Sequence, residues 1–148
     1  MVRGFRIAGA LLGLAGGLNA AGCDRDERPR CLDSLDVDAC LPLYPAEFPV
    51  LFGQVFGVTC GSPGASCHGA LGRQGGLAFT SEGAALLGLD GSAPRVVPGD
   101  AACSEMMVRL DTPGHSWSMP PGAPLDERAR CSIRRWIAAG ANAASETP

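Results

Sequence analysis

Apolar residues recur at helical spacing in residues 46–56, at positions i, i+3, i+4 and i+7: Phe48, Leu51, Phe52 and Val55. This spacing puts them on one face and predicts a first helix, which Gly57 would end. The glycine-rich segment 69–76 predicts a flexible loop. A second, short helix is predicted at residues 81–87.

Two further helices are predicted in the second half of the chain. The third covers residues 100–110 with Asp100 as its N-cap, and its apolar stripe is Cys103, Met106, Met107 and Leu110. The last covers residues 126–139 and ends at Gly140, with an apolar face of Ala129, Ile133, Trp136 and Ile137. We expect Trp136 to pack against Phe52, and the arginines on the last helix to be solvated: Arg128, Arg130, Arg134 and Arg135.

The first 22 residues predict an export signal. Arg3 and Arg6 are positive, the apolar run 7–18 is too short to span a membrane comfortably, and small residues lead to Cys23. Residues 19–23 resemble a bacterial lipobox, in which cleavage precedes the cysteine and its thiol is lipidated; Ala20 stands where that pattern prefers Leu. We therefore expect a signal peptide at 1–22 and a mature chain anchored to a membrane through a lipid on Cys23.

Charged residues and prolines indicate how the rest of the chain is divided into segments. Without Arg3 and Arg6 the formal net charge is −5 rather than −3, which excludes nucleic acid as a partner. Residues 23–45 are charged and then proline-containing, and predict a tether with a small knot at Cys31 and Cys40. A folded domain is expected at 46–141, followed by a disordered tail at 142–148. The protein is thus expected in the periplasm or cell envelope.

Six cysteines remain besides Cys23, and an exported protein keeps disulfides. A small domain with few aromatic residues has a thin core, so it needs cross-links or a buried cofactor. A bridge between Cys103 and Cys131 would join the third helix to the last, and one between Cys31 and Cys40 would close the knot. The fold class predicted is therefore mostly α, with short helices and long loops stapled by disulfides.

The chemistry of the chain is concentrated between Cys60 and His68. A cysteine followed directly by histidine, with a second cysteine upstream, is the arrangement that attaches a c-type haem, although that signature has two residues between its cysteines and this chain has six. Met119, in a Met-Pro-Pro-Gly loop, offers a thioether as the second iron ligand. His115 is a rival ligand that we expect to be exposed. The alternative is a local disulfide between Cys60 and Cys67.

Together these features resemble the class I c-type cytochromes, and more narrowly the exported cytochrome-c-like lipoproteins of bacteria such as myxobacteria. The resemblance covers residues 46–141: an apolar helix before Cys…Cys-His, Val-Pro-Gly-Asp before a helix, Met-Pro-Pro-Gly, and a last helix ending in Trp-Ile-Ala-Ala-Gly-Ala. It implies haem c attached to Cys60 and Cys67, with its iron held by His68 and Met119.

Two functions are compatible with the sequence. The first is an electron carrier that binds haem and meets a redox partner. The second is a haemless lipoprotein of the same fold, a structural or protein-binding module with bridges Cys31–Cys40, Cys60–Cys67 and Cys103–Cys131. An enzyme is not expected, because the chain has no nucleophile elbow, Walker loop or dinucleotide fingerprint and no recognisable catalytic triad.

Overall fold

The structure, a computed structural model, describes residues 27–62 and 67–143, in which every regular element is helical. The first helix begins as α1 (Phe48–Leu51) and continues without a break as a π-helix (Phe52–Cys60). A 3₁₀ turn (Gln74–Gly76) precedes three further helices: α2 (Glu82–Leu89), α3 (Glu105–Asp111) and α4 (Glu127–Ala138). The predicted class, mostly α with short helices, long loops and disulfides, is confirmed.

Several predictions fall on residues outside this part of the chain. They are the signal peptide at 1–22, lipidation of Cys23, and all but the first two residues of the tail predicted at 142–148. None of the helices in the described ranges is both long and apolar enough to cross a membrane.

The first helix runs past Gly57, where the sequence predicted its end. The N–H of Gly61 donates to the carbonyl of Phe56 at 2.8 Å, five residues back, which is the wide turn of a π-helix. A Cβ at position 57 would lie 3.1 Å from the Phe52 carbonyl oxygen, so glycine lets this turn form without crowding. Gly57 therefore serves the wide turn instead of ending the helix.

Trp136 on α4 joins the first helix to the rest of the core. Its ring lies 5.3 Å from that of Phe48 and 6.3 Å from that of Phe56, measured between centroids. The prediction that Trp136 packs against Phe52 was wrong. The π-turns rotate the buried face of the helix toward Phe56, and Phe52 is only partly buried. Phe56 in turn stacks on Phe79 at 5.1 Å, so one aromatic column runs from α4 through the π-helix to the segment before α2.

Helices α2 and α4 start where the sequence predicted, whereas α3 starts later than predicted. Ser81 caps α2 through Ala84 N–H, and Asp126 caps α4 through Arg128 N–H. Asp100 instead accepts from the N–H of Cys103 at 3.0 Å in a separate turn, and α3 begins only at Glu105. The buried hydroxyl of Ser104 donates to the Asp100 carbonyl at 2.8 Å, which joins that turn to the helix.

The two disulfides connect the N-terminal segment to the helical domain, as Cys31–Cys103 and Cys40–Cys131. The predicted pairs Cys31–Cys40 and Cys103–Cys131 are therefore wrong. The physical reason is that residues 31–44 lie on the domain: Leu32 N–H donates to the Ala102 carbonyl, and Tyr44 N–H to the hydroxyl of Ser132.

The observed pairing also stabilises the fold more than the predicted one. The bridges close sequence separations of 72 and 91 residues. The chain-entropy model gives about 4–5 kcal/mol for each, against about 2–3 kcal/mol for a bridge as short as Cys31–Cys40. The described part of the predicted tether is thus covalently part of the domain.

An ionic cluster joins α3 to α4. The carboxylate of Asp111 accepts from Arg134 at 2.8 and 2.9 Å and from Arg130 at 2.7 Å. The hydrogen bonds to Asp111 raise the pKa of Arg134, whose side chain is buried. The predicted solvated face is therefore wrong for Arg134, because the opposing helix supplies a carboxylate; Arg128 is exposed as expected.

Candidate functional site

A cavity of about 390 Å³ lies between the end of the π-helix and the loop before α4. Its lining includes all four residues that the sequence singled out: Cys60, Cys67, His68 and Met119. Most of the remaining wall is apolar and comes from Phe56, Leu77, Phe79, Met106, Leu110 and Leu125. Its volume falls within the range of about 300–1,000 Å³ that is usual for ligand and cofactor sites. The fold thus assembles one site from residues widely separated in sequence.

The imidazole of His68 is oriented by its backbone surroundings. Nδ1 lies 3.3 Å from the carbonyl oxygen of Leu77, and the ring meets the ring of Phe79 edge-on at 5.7 Å. A carbonyl only accepts, so in the neutral imidazole Nδ1 carries the hydrogen and Nε2 keeps its lone pair. Metal-binding histidines commonly use this second contact to orient the ring and increase its basicity. His68 is therefore prepared to bind a metal through Nε2.

Met119 is held at the cavity by hydrogen bonds of its loop. Its N–H donates to the carbonyl of Arg109 at 2.8 Å, and the guanidinium of Arg109 donates to the carbonyl of Trp117 at 3.2 Å. Trp117 is buried and donates its indole N–H to the hydroxyl of Thr112 at 2.8 Å. These contacts tie the loop to α3, so the position of Met119 depends on α3 as well as on the prolines that follow it.

Cys60 and Cys67 are free thiols on separate elements: the first ends the π-helix and the second opens the turn that carries His68. They do not form the disulfide expected of a haemless chain. Burial raises the pKa of Cys60 to about 11, with a smaller contribution from the charge of Cys67. Cys60 is therefore a protonated, weakly nucleophilic thiol near neutral pH, and Cys67 is the more exposed of the two.

Charged groups at the cavity were not singled out by the sequence. Arg95 and Arg109 both line it, together with Glu105. Arg95 donates to the Gly88 carbonyl at 2.8 Å, and Glu105 accepts from Arg109 at 2.9 Å and from Arg28 at 3.0 Å. The two guanidiniums give this part of the wall an excess of positive charge that suits carboxylate groups. Isolated arginines carry no spacing signal, so only the fold could identify them.

His115 lies apart from this cavity. It is exposed, as predicted, and stacks on Trp117 with ring centroids 4.4 Å apart. It is not among the residues that line the cavity. The structure therefore favours Met119 over His115 as the counterpart of His68.

The donor set of the cavity indicates which kind of group it suits. In residues 27–62 and 67–143, no group of three or more His, Cys, Asp or Glu side chains is arranged to hold a metal ion. One imidazole, one thioether and two thiols around an apolar cavity are instead the donors that c-type haem uses. These residues fit haem better than a bare ion.

Comparison with known proteins agrees with this donor set. Residues 65–122 match the family model described as Planctomycete cytochrome C. The matched stretch contains Cys67, His68 and Met119 and begins after Cys60. It supports a cytochrome-c-like protein, as the sequence resemblance predicted. No curated protein and no solved structure matches the chain.

Proposed function

We propose that this protein is a haem-binding electron carrier of the cell envelope. The observation that carries the proposal is that His68, with Nδ1 at the Leu77 carbonyl, lines the same apolar cavity as Met119 and both free thiols. When bound, haem would supply one-electron oxidation and reduction at its iron. The family match over residues 65–122 supports this assignment.

Each site residue has a role in this proposal. The thiols of Cys60 and Cys67 would hold the porphyrin through thioether bonds to its two vinyl groups, with each thiol hydrogen passing to the neighbouring vinyl carbon, so that no oxidant would be consumed. His68, through Nε2, and Met119, through its thioether, would be the iron ligands. A thioether ligand favours reduced iron and raises the reduction potential.

The rest of the cavity controls solvation and charge. Leu77, Phe79 and Leu110 are buried side chains of its apolar wall, and they keep water from the site. An apolar surround disfavours the extra positive charge of oxidised iron, which also raises the potential. Arg95 and Arg109 would pair with the two propionates and offset their negative charge.

Export and anchoring are part of the same proposal. Two long-range disulfides support an oxidising compartment. We propose a signal peptide at 1–22, a lipid on Cys23, and a periplasmic or cell-envelope location, with a redox protein as partner and no turnover reaction. Incorporation of labelled palmitate into the wild-type chain, and its loss in Cys23→Ala, would test the anchor.

The central test is haem attachment to the full chain, expressed in a bacterial host with c-type haem maturation machinery. We expect a covalent haem adduct by intact mass and a low-spin spectrum on reduction with dithionite. His68→Ala should lose the low-spin spectrum, whereas His115→Ala, the matched control on an exposed histidine outside the cavity, should keep it. A colourless wild-type protein without the mass adduct would contradict the proposal.

The second candidate is a haemless module of the same fold that serves as a structural or protein-binding lipoprotein. The observation in its favour is that two long-range disulfides and the contact of Trp136 with Phe48 hold the domain together without contribution from the residues that line the cavity. A folded, colourless protein from the same maturation-competent host, with two disulfides and two alkylatable thiols, would favour this candidate.

A further inference from the structure

Gly61 is buried where the backbone after the π-helix meets the backbone of Phe79. A Cβ built on Gly61 would lie 2.5 Å from Cβ and 2.8 Å from the carbonyl carbon of Phe79, and closer still to its carbonyl oxygen. Two of these three atoms are backbone, so rotation of a side chain cannot relieve the overlap. Gly61 has φ −112° and ψ 13°, which other residues adopt, so the close approach is what requires glycine.

Phe79 is tied to His68, which lies in the turn that Cys67 opens. Its N–H donates to the carbonyl of His68 at 2.8 Å, and its ring meets the imidazole edge-on. Gly61 therefore touches a segment that is hydrogen-bonded to His68. Since Cys60 directly precedes Gly61, this contact fixes the position of the Cys60 thiol relative to the His68 imidazole.

We propose that Gly61 is the positioning residue for Cys60, so that a tertiary contact, and not the number of residues between the cysteines, places this thiol at the His68 cavity. In the usual signature, two intervening residues define the relation between the thiols. Here Cys60 ends a helix that packs on Phe79, and Cys67 begins a separate turn. As far as haem attachment is concerned, the inference rests on the proposed function.

The π-helix contributes to the same placement. The bond from Gly61 N–H to the Phe56 carbonyl closes its last wide turn, and Phe56 stacks on Phe79 at 5.1 Å. Two contacts thus hold the end of the helix against Phe79: the stacked ring of Phe56 and the close approach of the Gly61 Cα, which has no side chain. π-Helical turns often occur at functional sites, and this one ends at a cavity thiol.

The first experiment needs no haem. In the full chain carrying Cys67→Ser, Cys60 is the remaining free thiol of the described residues, and its alkylation by iodoacetamide is followed by mass. We expect Gly61→Ala to raise the alkylation rate at least tenfold, because the half-buried thiol is displaced toward solvent. Gly53→Ala is the matched control, since a Cβ there has no neighbour within 4 Å. Equal rates for folded Gly61→Ala and the parent would overturn the proposal.

Two variants separate positioning from a general loss of stability. Ser132→Ala removes hydrogen bonds with Tyr44 and Arg128, none of which lines the cavity, and it should leave Cys60 protected under native conditions. If Gly61→Ala does not fold, a second variant still tests the proposal. In this variant, two added glycines lengthen the connection between Ser62 and Cys67. The proposal expects unchanged protection of Cys60 there, and a rise to the rate of a denatured control would overturn it.

The second experiment counts thioethers in the haem protein. Peptide mass and the position of the pyridine haemochrome α-band report how many vinyl groups are saturated. We expect two thioethers in wild type, Gly53→Ala and the lengthened variant, and one, through Cys67, in Gly61→Ala. Two in Gly61→Ala would overturn the inference. A wild type without haem would contradict only the proposed function, because the alkylation experiment tests Gly61 independently.

Discussion

Nδ1 of His68 lies 3.3 Å from the carbonyl oxygen of Leu77, nine residues further along the chain. This contact leaves Nε2 with its lone pair and joins the cysteine–histidine turn to the apolar wall of the cavity. Because the acceptor is a backbone atom, no substitution at position 77 removes it directly. The consequences are better tested at other residues of the site and of the framework that holds it.

Replacing Met119 by Ala should leave haem covalently attached but change its spin state. The thioether ligand is lost, whereas the thiols and His68 remain, so we expect a high-spin spectrum in both oxidation states and a lower potential. Absorption and magnetic circular dichroism measure this. Met107→Leu, in the core but outside the cavity lining, is the control. A persistent low-spin spectrum in Met119→Ala would show that another residue is the ligand.

Peptide mapping without reduction should recover Cys31 with Cys103 and Cys40 with Cys131. The double variant Cys40→Ser/Cys131→Ser should lose about 2–5 kcal/mol of unfolding free energy in urea, since a loop of 91 residues is no longer closed in the unfolded chain. Ser132→Ala should lose less, about 1–2 kcal/mol, because it removes only the two hydrogen bonds of one hydroxyl, from Tyr44 N–H and to the Arg128 carbonyl. Recovery of a Cys31–Cys40 peptide would contradict the observed pairing.

Asp111→Asn should be among the most destabilising changes of a charged residue on α3. It removes the buried carboxylate that faces Arg130 and Arg134 and leaves them only the more exposed Glu127, so loss of this buried pairing should cost about 3 kcal/mol. Glu105→Gln is the control for a more exposed ion pair and should cost about 1 kcal/mol or less. Urea unfolding of the haem-free protein measures both. Equal effects of the two changes would mean that the cluster is solvated.

Stability of the haem-free protein should fall at alkaline pH because of Cys60. Its pKa is about 11 in the folded protein against 9.0 for a free thiol, so the folded state holds the proton more tightly. The associated stability is complete below about pH 9 and is lost as pH rises through 11, by roughly 2–3 kcal/mol. The difference in unfolding free energy between wild type and Cys60→Ser isolates this effect. A difference independent of pH between 8 and 11 would contradict it.

Much of the helical framework could be predicted from local signals. The start of α4 at Asp126 and its end at Gly140 were predicted correctly, because a helix end depends only on a side chain and the adjacent turn. The first helix was found, but its end at Gly57 was wrong. A glycine that breaks an isolated α-helix is accommodated here by a π-turn that packs on Phe79.

Of the candidate site, the sequence by itself indicated the candidate donors: Cys60, Cys67, His68 and Met119 are chemically distinctive, and their types point to haem without coordinates. Tertiary structure alone decided which cysteines pair, that Arg134 is buried against Asp111, and that Gly61 meets Phe79. These relations depend on where distant segments pass in space. Residue type and local spacing do not predict where these segments pass, because their positions result from packing of the whole chain.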